Sequence, residues 1–91
     1  MRKLKKYYYG FVLQGESEWW AYIPDMDIKV YGKTRLEAYR RCLDALRKTV
    51  TYMRDNDIPL PETSDLLSVN ARAYSDDGQD FSGAERTTWW Y

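Results

Sequence analysis

Carboxylates are the main candidates for catalytic chemistry in this chain, because its 91 residues include no histidine and a single cysteine. Histidine is the commonest general base and a frequent zinc ligand, so its absence disfavours serine-type triads and zinc-dependent hydrolysis. Metal-assisted cleavage of nucleic acid would need several carboxylates converging on one sheet. Asp25 and Asp27 flank a predicted turn, and helix capping explains Glu37. We therefore expect neither an enzyme nor a metal or organic cofactor.

A group of aspartates in the C-terminal part of the chain is the other candidate for a metal site. It consists of Asp76, Asp77 and Asp80. The stretch lacks the twelve-residue loop and the terminal bidentate glutamate of a calcium site, so we interpret it as a solvated loop. Cys42 has no second cysteine with which to form an internal disulfide or a thiolate cluster.

Aromatic side chains make up 16% of the sequence and are the best candidates for a binding surface. Tryptophan and tyrosine are enriched at binding hot spots, because they bury a large area at a low cost in side-chain entropy. Residues 87–91 end in three consecutive aromatics, which we expect to dock on the sheet or on another subunit. The predicted interface consists of Tyr8, Trp20, Tyr22, Asp25, Asp27, Trp89, Trp90 and Tyr91.

The sequence leaves the occupant of this interface open. A foreign protein and a second copy of the chain, most simply in a dimer, are both compatible with it, and so is packing of the C-terminal aromatics within one chain. A nucleic-acid partner is the less favoured alternative. It would use a basic patch at Arg40 and Arg47, or the basic residues 2–6 beside Tyr7, Tyr8 and Tyr9. The net charge of zero and the lack of an RNA-binding signature weigh against it.

A long helix from Thr34 to Asn56 is the element around which we expect the chain to fold. Thr34 and Glu37 form a capping box, in which each side chain hydrogen-bonds the other residue's backbone N–H. The pairs Glu37 with Arg41 and Asp44 with Lys48 favour a solvated polar face. The predicted buried stripe consists of Leu36, Tyr39, Leu43, Leu46, Val50 and Met53, widened by Ala38, Cys42 and Ala45.

Strands on either side must supply the apolar sheet that this helix needs. Alternating side chains predict an aromatic hairpin from Tyr7 to Gln14 and from Glu18 to Ile23, followed by a third strand from residue 28 to Gly32. A fourth strand is predicted over residues 67–73. Because a long helix separates it from the third strand, it can pair parallel to an existing strand through a crossover. One helix covers one face, so the other face is an exposed aromatic surface or an interface.

Length and hydropathy predict one small soluble domain. Residues 1–74 form the folded part, and residues 75–91 form an acidic linker with an aromatic tail. No apolar run approaches the roughly 18 residues of a membrane span, and no signal-peptide pattern follows the basic N-terminus. We expect a cytoplasmic protein.

The order of several short motifs resembles the HicB antitoxin family over about residues 7–65. The matching pieces are the opening aromatic strand, Tyr22-Ile23-Pro24-Asp25, Gly32-Lys33-Thr34 leading into Glu37-Ala38, Ala45-Leu46, and Ile58-Pro59-Leu60-Pro61-Glu62. The family's Pro-Asp-Leu-Pro-Gly turn is here Pro24-Asp25-Met26-Asp27-Ile28, which lacks the second proline and the glycine.

The resemblance implies a β-β-β-α-β partial ribonuclease-H-like fold without nuclease activity, with one long helix packed on one face of the sheet. It further implies a binding protein that neutralises a HicA toxin, a small RNA-cleaving protein, by covering its active surface. The residues after Tyr74 are too few for the DNA-binding module that many members carry, so autorepression is not expected. The alternatives are a phage or mobile-element inhibitor of a host defence complex, for example of the anti-CRISPR type, and an RNA- or DNA-binding module.

Overall fold

The computed structural model describes residues 6–70, 81 and 83–91. Its strands are β1 (Tyr7–Gln14), β2 (Trp19–Ile23), β3 (Ile28–Gly32) and β4 (Glu85–Trp90), and its helices are α1 (Arg35–Asp55) and α2 (Leu66–Asn70). The four strands form one sheet in the order β3-β2-β1-β4, and every neighbouring pair is antiparallel. The α+β class, the first three strands and the long helix are therefore confirmed. None of the helices described is long and apolar enough to cross a membrane.

Two tight turns bring the first three strands together. At the first turn, the Gly15 N–H donates a hydrogen bond to the Glu18 carbonyl. At the second, a 3-10 turn (Pro24–Met26) ends at Asp27, whose φ of 54° lies in the left-handed region. Aspartate tolerates this region better than most residues, so no glycine is needed there.

Helix α1 begins at the predicted cap. The Thr34 hydroxyl accepts the Glu37 N–H at 3.0 Å. The Glu37 carboxylate accepts the Lys33 N–H, which is one residue earlier than the expected Thr34 N–H. The expected ion pairs are present, Arg41 with Glu37 at 3.3 Å and Lys48 with Asp44 at 3.1 Å.

The face of α1 that packs on the sheet is centred differently from the predicted stripe. Its buried residues are spaced by four: Ala38, Cys42, Leu46 and Val50. Leu36, predicted to be buried, is 54% exposed. At about 100° per residue, Leu36 points roughly 160° away from Ala38, and so away from the sheet. Ala38 and Cys42, which we expected only to widen the stripe, lie at its centre with the predicted Leu46 and Val50, whereas Ala45 is partly buried.

The predicted fourth strand is wrong over residues 67–70, which belong to α2, while residues 71–73 lie outside the described part of the chain. An alternation of apolar and polar residues this short is compatible with either structure. A helix cap decides it, because the Asp65 carboxylate accepts the Ser68 N–H at 2.8 Å. The place beside β1 is taken by β4, which runs antiparallel to β1 and comes from the predicted tail.

The two faces of the sheet carry two separate apolar cores. We call the face under α1 the helix face and the opposite one the second face. The helix-face core contains Tyr8, Val12, Ala21, Ile23, Ile28, Ala38, Cys42, Leu46, Val50 and Trp89, and the second-face core contains Phe11, Tyr22, Val69, Phe81 and Ala84. Gly10 makes room for Trp89, because a Cβ atom there would lie 2.7 Å from the indole Cζ3.

Candidate functional site

The second face of the sheet holds most of the aromatic residues of the strands. Residues that oppose each other in antiparallel strands share a face, so the register determines its members. They are Tyr7, Tyr9, Phe11, Leu13, Trp20, Tyr22, Lys29, Tyr31, Arg86, Thr88 and Trp90.

The chain itself covers the middle of the second face. Phe81 is fully buried, with its ring 5.9 Å from the Phe11 ring and 5.0 Å from the Tyr22 ring. Val69 of α2 and Ala84 pack in the same cluster. The ends of the face therefore carry the accessible rings.

One end, which we call the tryptophan end, consists of Leu13, Trp20, Lys29 and Tyr31. The Trp20 and Tyr31 rings lie 5.4 Å apart at 58°, and the Lys29 ammonium lies 5.7 Å from the centroid of the Trp20 ring. Tyr31 is 56% exposed. An open depression beside Trp20 follows the β1–β2 turn, and Glu16 and Glu18 line it. The half-buried Trp20 ring thus lies next to carboxylates.

The other end, which we call the tyrosine end, consists of Tyr7, Tyr9, Thr88 and Trp90. The Tyr7 ring stacks on Trp90 at 4.7 Å and 27°, and it lies 5.2 Å from the Tyr9 ring. Trp90 is 48% exposed. A hydrogen bond with the Tyr7 side chain is the largest of the effects that raise the pKa of the Tyr9 phenol.

Side chains of α1 donate hydrogen bonds to one backbone carbonyl on each edge strand of the sheet. The Tyr39 hydroxyl donates to the Thr88 carbonyl of β4 at 2.9 Å, and the Arg41 guanidinium donates to the Tyr31 carbonyl of β3 at 3.0 Å. A partner that added a strand at either point would have to displace these donors. The two edges are therefore less suited to a partner than the ends of the second face.

Two of the predicted interface residues belong to the core under α1. Tyr8 and Trp89 are 1% and 0% exposed. The Tyr8 hydroxyl donates to the Pro61 carbonyl, and the Trp89 indole N–H donates to the Tyr39 carbonyl at 3.1 Å. Burial is the main cause that raises the pKa of the Tyr8 phenol above its usual value. Tyr8 is two residues from Gly10 and Trp89 is two residues from Thr87, so each shares a face with that neighbour, the helix face. Neither side chain is therefore available to a partner.

The predicted residues at the turn after β2 have separate roles. The Asp25 carboxylate accepts the Ser64 N–H at 2.9 Å and the Ser64 hydroxyl at 2.7 Å. Asp25 therefore attaches this turn to the segment that follows α1. Asp27 is exposed in its left-handed conformation.

The remaining predicted residues are distributed over the molecule. Tyr22 is buried beneath Phe81, whereas Trp20 and Trp90 lie at opposite ends of the second face. Tyr91 is half-buried and stacks on Tyr8 at 5.7 Å. The structure thus divides the predicted interface instead of bringing it together.

The predicted basic patch lies on the exposed side of α1. Arg40 and Arg47 are both exposed, and Arg47 lines a shallow hollow with Lys48, Thr51 and Tyr52. No group of three or more potential metal ligands occurs among the described residues.

Sequence reasoning missed Lys29 and Tyr31 as surface candidates, and it considered Tyr7 and Tyr9 only in the less favoured nucleic-acid alternative. Their signal was present, because the period-two alternation already placed Tyr7 and Tyr9 opposite Tyr8. The sequence could not predict which parts of the two faces stay accessible, because that depends on the contact between Phe81 and the sheet.

Comparison with known proteins adds no relative: no family model, no curated protein and no solved structure matches this chain.

Proposed function

We propose that this chain is a non-enzymatic binding protein of the HicB-like kind, which neutralises a HicA-type RNA-cleaving toxin by covering it. The observation that carries the proposal is the tryptophan end, where Trp20 lines a depression together with Glu16 and Glu18 and the exposed Tyr31 ring lies 5.4 Å from the Trp20 ring. Exposed aromatic residues are typical anchors of protein interfaces. The proposal places the protein in the cytoplasm, where such a toxin meets its RNA.

The charges beside the tryptophan end suit a toxin that binds RNA. Such a toxin presents a basic surface to the phosphate backbone, so an occluding partner benefits from carboxylates around an apolar anchor. Glu16 and Glu18 supply these carboxylates, and the Ser17 hydroxyl donates to Glu18 at 2.6 Å. We therefore assign the anchor to Tyr31 and Trp20, and long-range attraction to the two glutamates.

The arrangement of β1, β2, β3 and α1 supports the family resemblance. Three antiparallel strands followed by one long helix match the start of the expected β-β-β-α-β order. The antiparallel β4 departs from the parallel crossover expected for a ribonuclease-H-like sheet. The proposed mode of action therefore rests on the surface at the tryptophan end and not on the last strand.

The direct test is binding to a catalytically inactive variant of a HicA-type toxin, measured by calorimetry or biolayer interferometry. We expect Tyr31→Ala to weaken binding at least tenfold, as for an interface anchor. Tyr52→Ala is the matched control, because Tyr52 is a similarly exposed tyrosine on α1. In cells, the wild type and the control should restore growth in the presence of active toxin, whereas Tyr31→Ala should not.

Two results would contradict this proposal. One is a lack of binding to HicA-type toxins at micromolar concentrations, and the other is equal binding by Tyr31→Ala and Tyr52→Ala. Retention of a host defence complex, lost only with Tyr31→Ala, would instead favour the inhibitor alternative on the same surface.

A further inference from the structure

We propose that the tyrosine end of the second face binds single-stranded nucleic acid, with Tyr9 and Trp90 stacking on bases. This site lies at the opposite end of the face from the proposed protein interface. Along β1, Tyr7 and Leu13 are six residues apart, so roughly 20 Å separates the two ends. The inference is therefore independent of the proposed toxin partner.

Ring geometry is the first reason for this assignment. Tyr7, Tyr9 and Trp90 form a continuous group with centroid distances of 4.7 and 5.2 Å. Stacking of bases on such rings is tolerant of sequence, because every base has a π-face. The Tyr7–Trp90 stack also holds the Trp90 ring in position, so little side-chain freedom is lost when a base packs on it.

Charge is the second reason. Among the strand positions of the second face, all of which are described, the charged side chains are Lys29 and Arg86, and none is a carboxylate. The Arg86 guanidinium lies 5.1 Å from the Phe11 ring centroid, which holds a cation on this face near Tyr9. Lys6 precedes Tyr7 but borders a hollow with Tyr8, Glu62 and Tyr91, on the other side of the strand, so it adds no charge to this face. Arg86 is therefore the cation at this end of the face on which a polyanion would depend.

One carboxylate, that of Asp65, lies close enough to act electrostatically on Tyr9. Its hydrogen bonds with Ser68 lower its pKa, so it stays ionised, and binding at this end relies on the rings and on Arg86 more than on a general positive field. Glu85, at the beginning of β4, forms an ion pair with Arg35 of α1. Tyr9, Arg86, Thr87 and Thr88 line a small hollow. Phosphate or ribose oxygens fit there, because a guanidinium and a hydroxyl both donate hydrogen bonds to oxygen.

The test is fluorescence anisotropy of the whole chain with labelled 12-nucleotide single strands, as ribo- and deoxyribo-oligonucleotides, and with the matching duplex. We expect the single strands to bind and the duplex to bind at least tenfold more weakly. Trp90→Ala should weaken single-strand binding about tenfold. Arg86→Gln should weaken it and reduce the slope of log K against log salt by about one. Tyr52→Ala, which removes an exposed ring from α1, should have no effect.

Each other outcome has a defined meaning. Binding that Trp90→Ala leaves unchanged while high salt abolishes it would show only ionic attachment to the basic N-terminus, and would overturn the site. Self-association that Trp90→Ala abolishes, without oligonucleotide binding, would assign the rings to a dimer instead. Tyr9→Phe keeps the ring and should retain binding, so a loss with this variant would contradict stacking. Tyr31→Ala should keep oligonucleotide binding even where it loses the toxin.

Discussion

The two faces of the sheet are built from similar aromatic strands but are covered in different ways. Helix α1 lies along the helix face and closes it with Ala38, Cys42, Leu46 and Val50, so that Tyr8 and Trp89 become core residues. The second face is closed only in its middle, by Phe81, Val69 and Ala84. The difference shows that the cover, and not the strand sequence, decides whether a tyrosine or tryptophan is core or surface.

The sharpest contrast lies between two neighbouring tryptophans of β4. Trp89 is fully buried against Tyr39, with ring centroids 5.0 Å apart, whereas Trp90 is half exposed on the second face. We expect Trp89→Ala to lower the free energy of unfolding by about 4 kcal/mol, because it leaves a large cavity under α1. Trp90→Ala should cost less than about 1 kcal/mol. Urea denaturation of both variants measures the difference, and equal midpoints would contradict the assignment of faces.

Removal of the cover from the second face should have an intermediate effect. We expect Phe81→Ala to cost about 3 kcal/mol, because the ring is fully buried against Phe11 and Tyr22. The same variant should increase binding of a hydrophobic dye, since the middle of the face becomes accessible while α1 still covers the helix face. Val69→Ala serves as the milder control from the same cluster. A fully unfolded Phe81→Ala protein would show that the second-face core is as essential as the helix-face core.

The smallest predicted effect is the loss of stability at alkaline pH that comes from one buried thiol on the helix face. Burial raises the pKa of the Cys42 thiol above its usual value. Above about pH 9 the unfolded state therefore loses the thiol proton while the folded state keeps it. The thiol's contribution to stability is fully present below that pH and decreases as the pH rises further. The thiol can contribute a slope of at most about 1.4 kcal/mol per pH unit. Cys42→Ala should show a shallower decline of the urea midpoint between pH 8 and 10. A parallel decline in both proteins would exclude the thiol as a cause.

Local patterns predicted the local structure well. The alternation in residues 7–14 and 28–32 predicted β1 and β3 with their observed bounds, and the Thr34 cap predicted where α1 begins. The candidate surface was predicted less well. Of its accessible rings, Trp20 and Trp90 were predicted as interface residues and Tyr9 as part of the nucleic-acid alternative. Tyr31 was not predicted, because the number of aromatic residues does not show which of them a distant segment covers.

The sequence by itself determined the hairpin of the first two strands, the presence of a third strand, the capped helix and the absence of histidine chemistry, because these depend on residue type and on neighbours within a few positions. Tertiary structure alone decided that the C-terminal residues 85–90 pair antiparallel with β1. It also decided that Phe81 closes the middle of the second face and that rings remain accessible at both ends. The physical reason is that burial is a property of contacts between segments far apart in the chain, and only the folded chain brings those segments together.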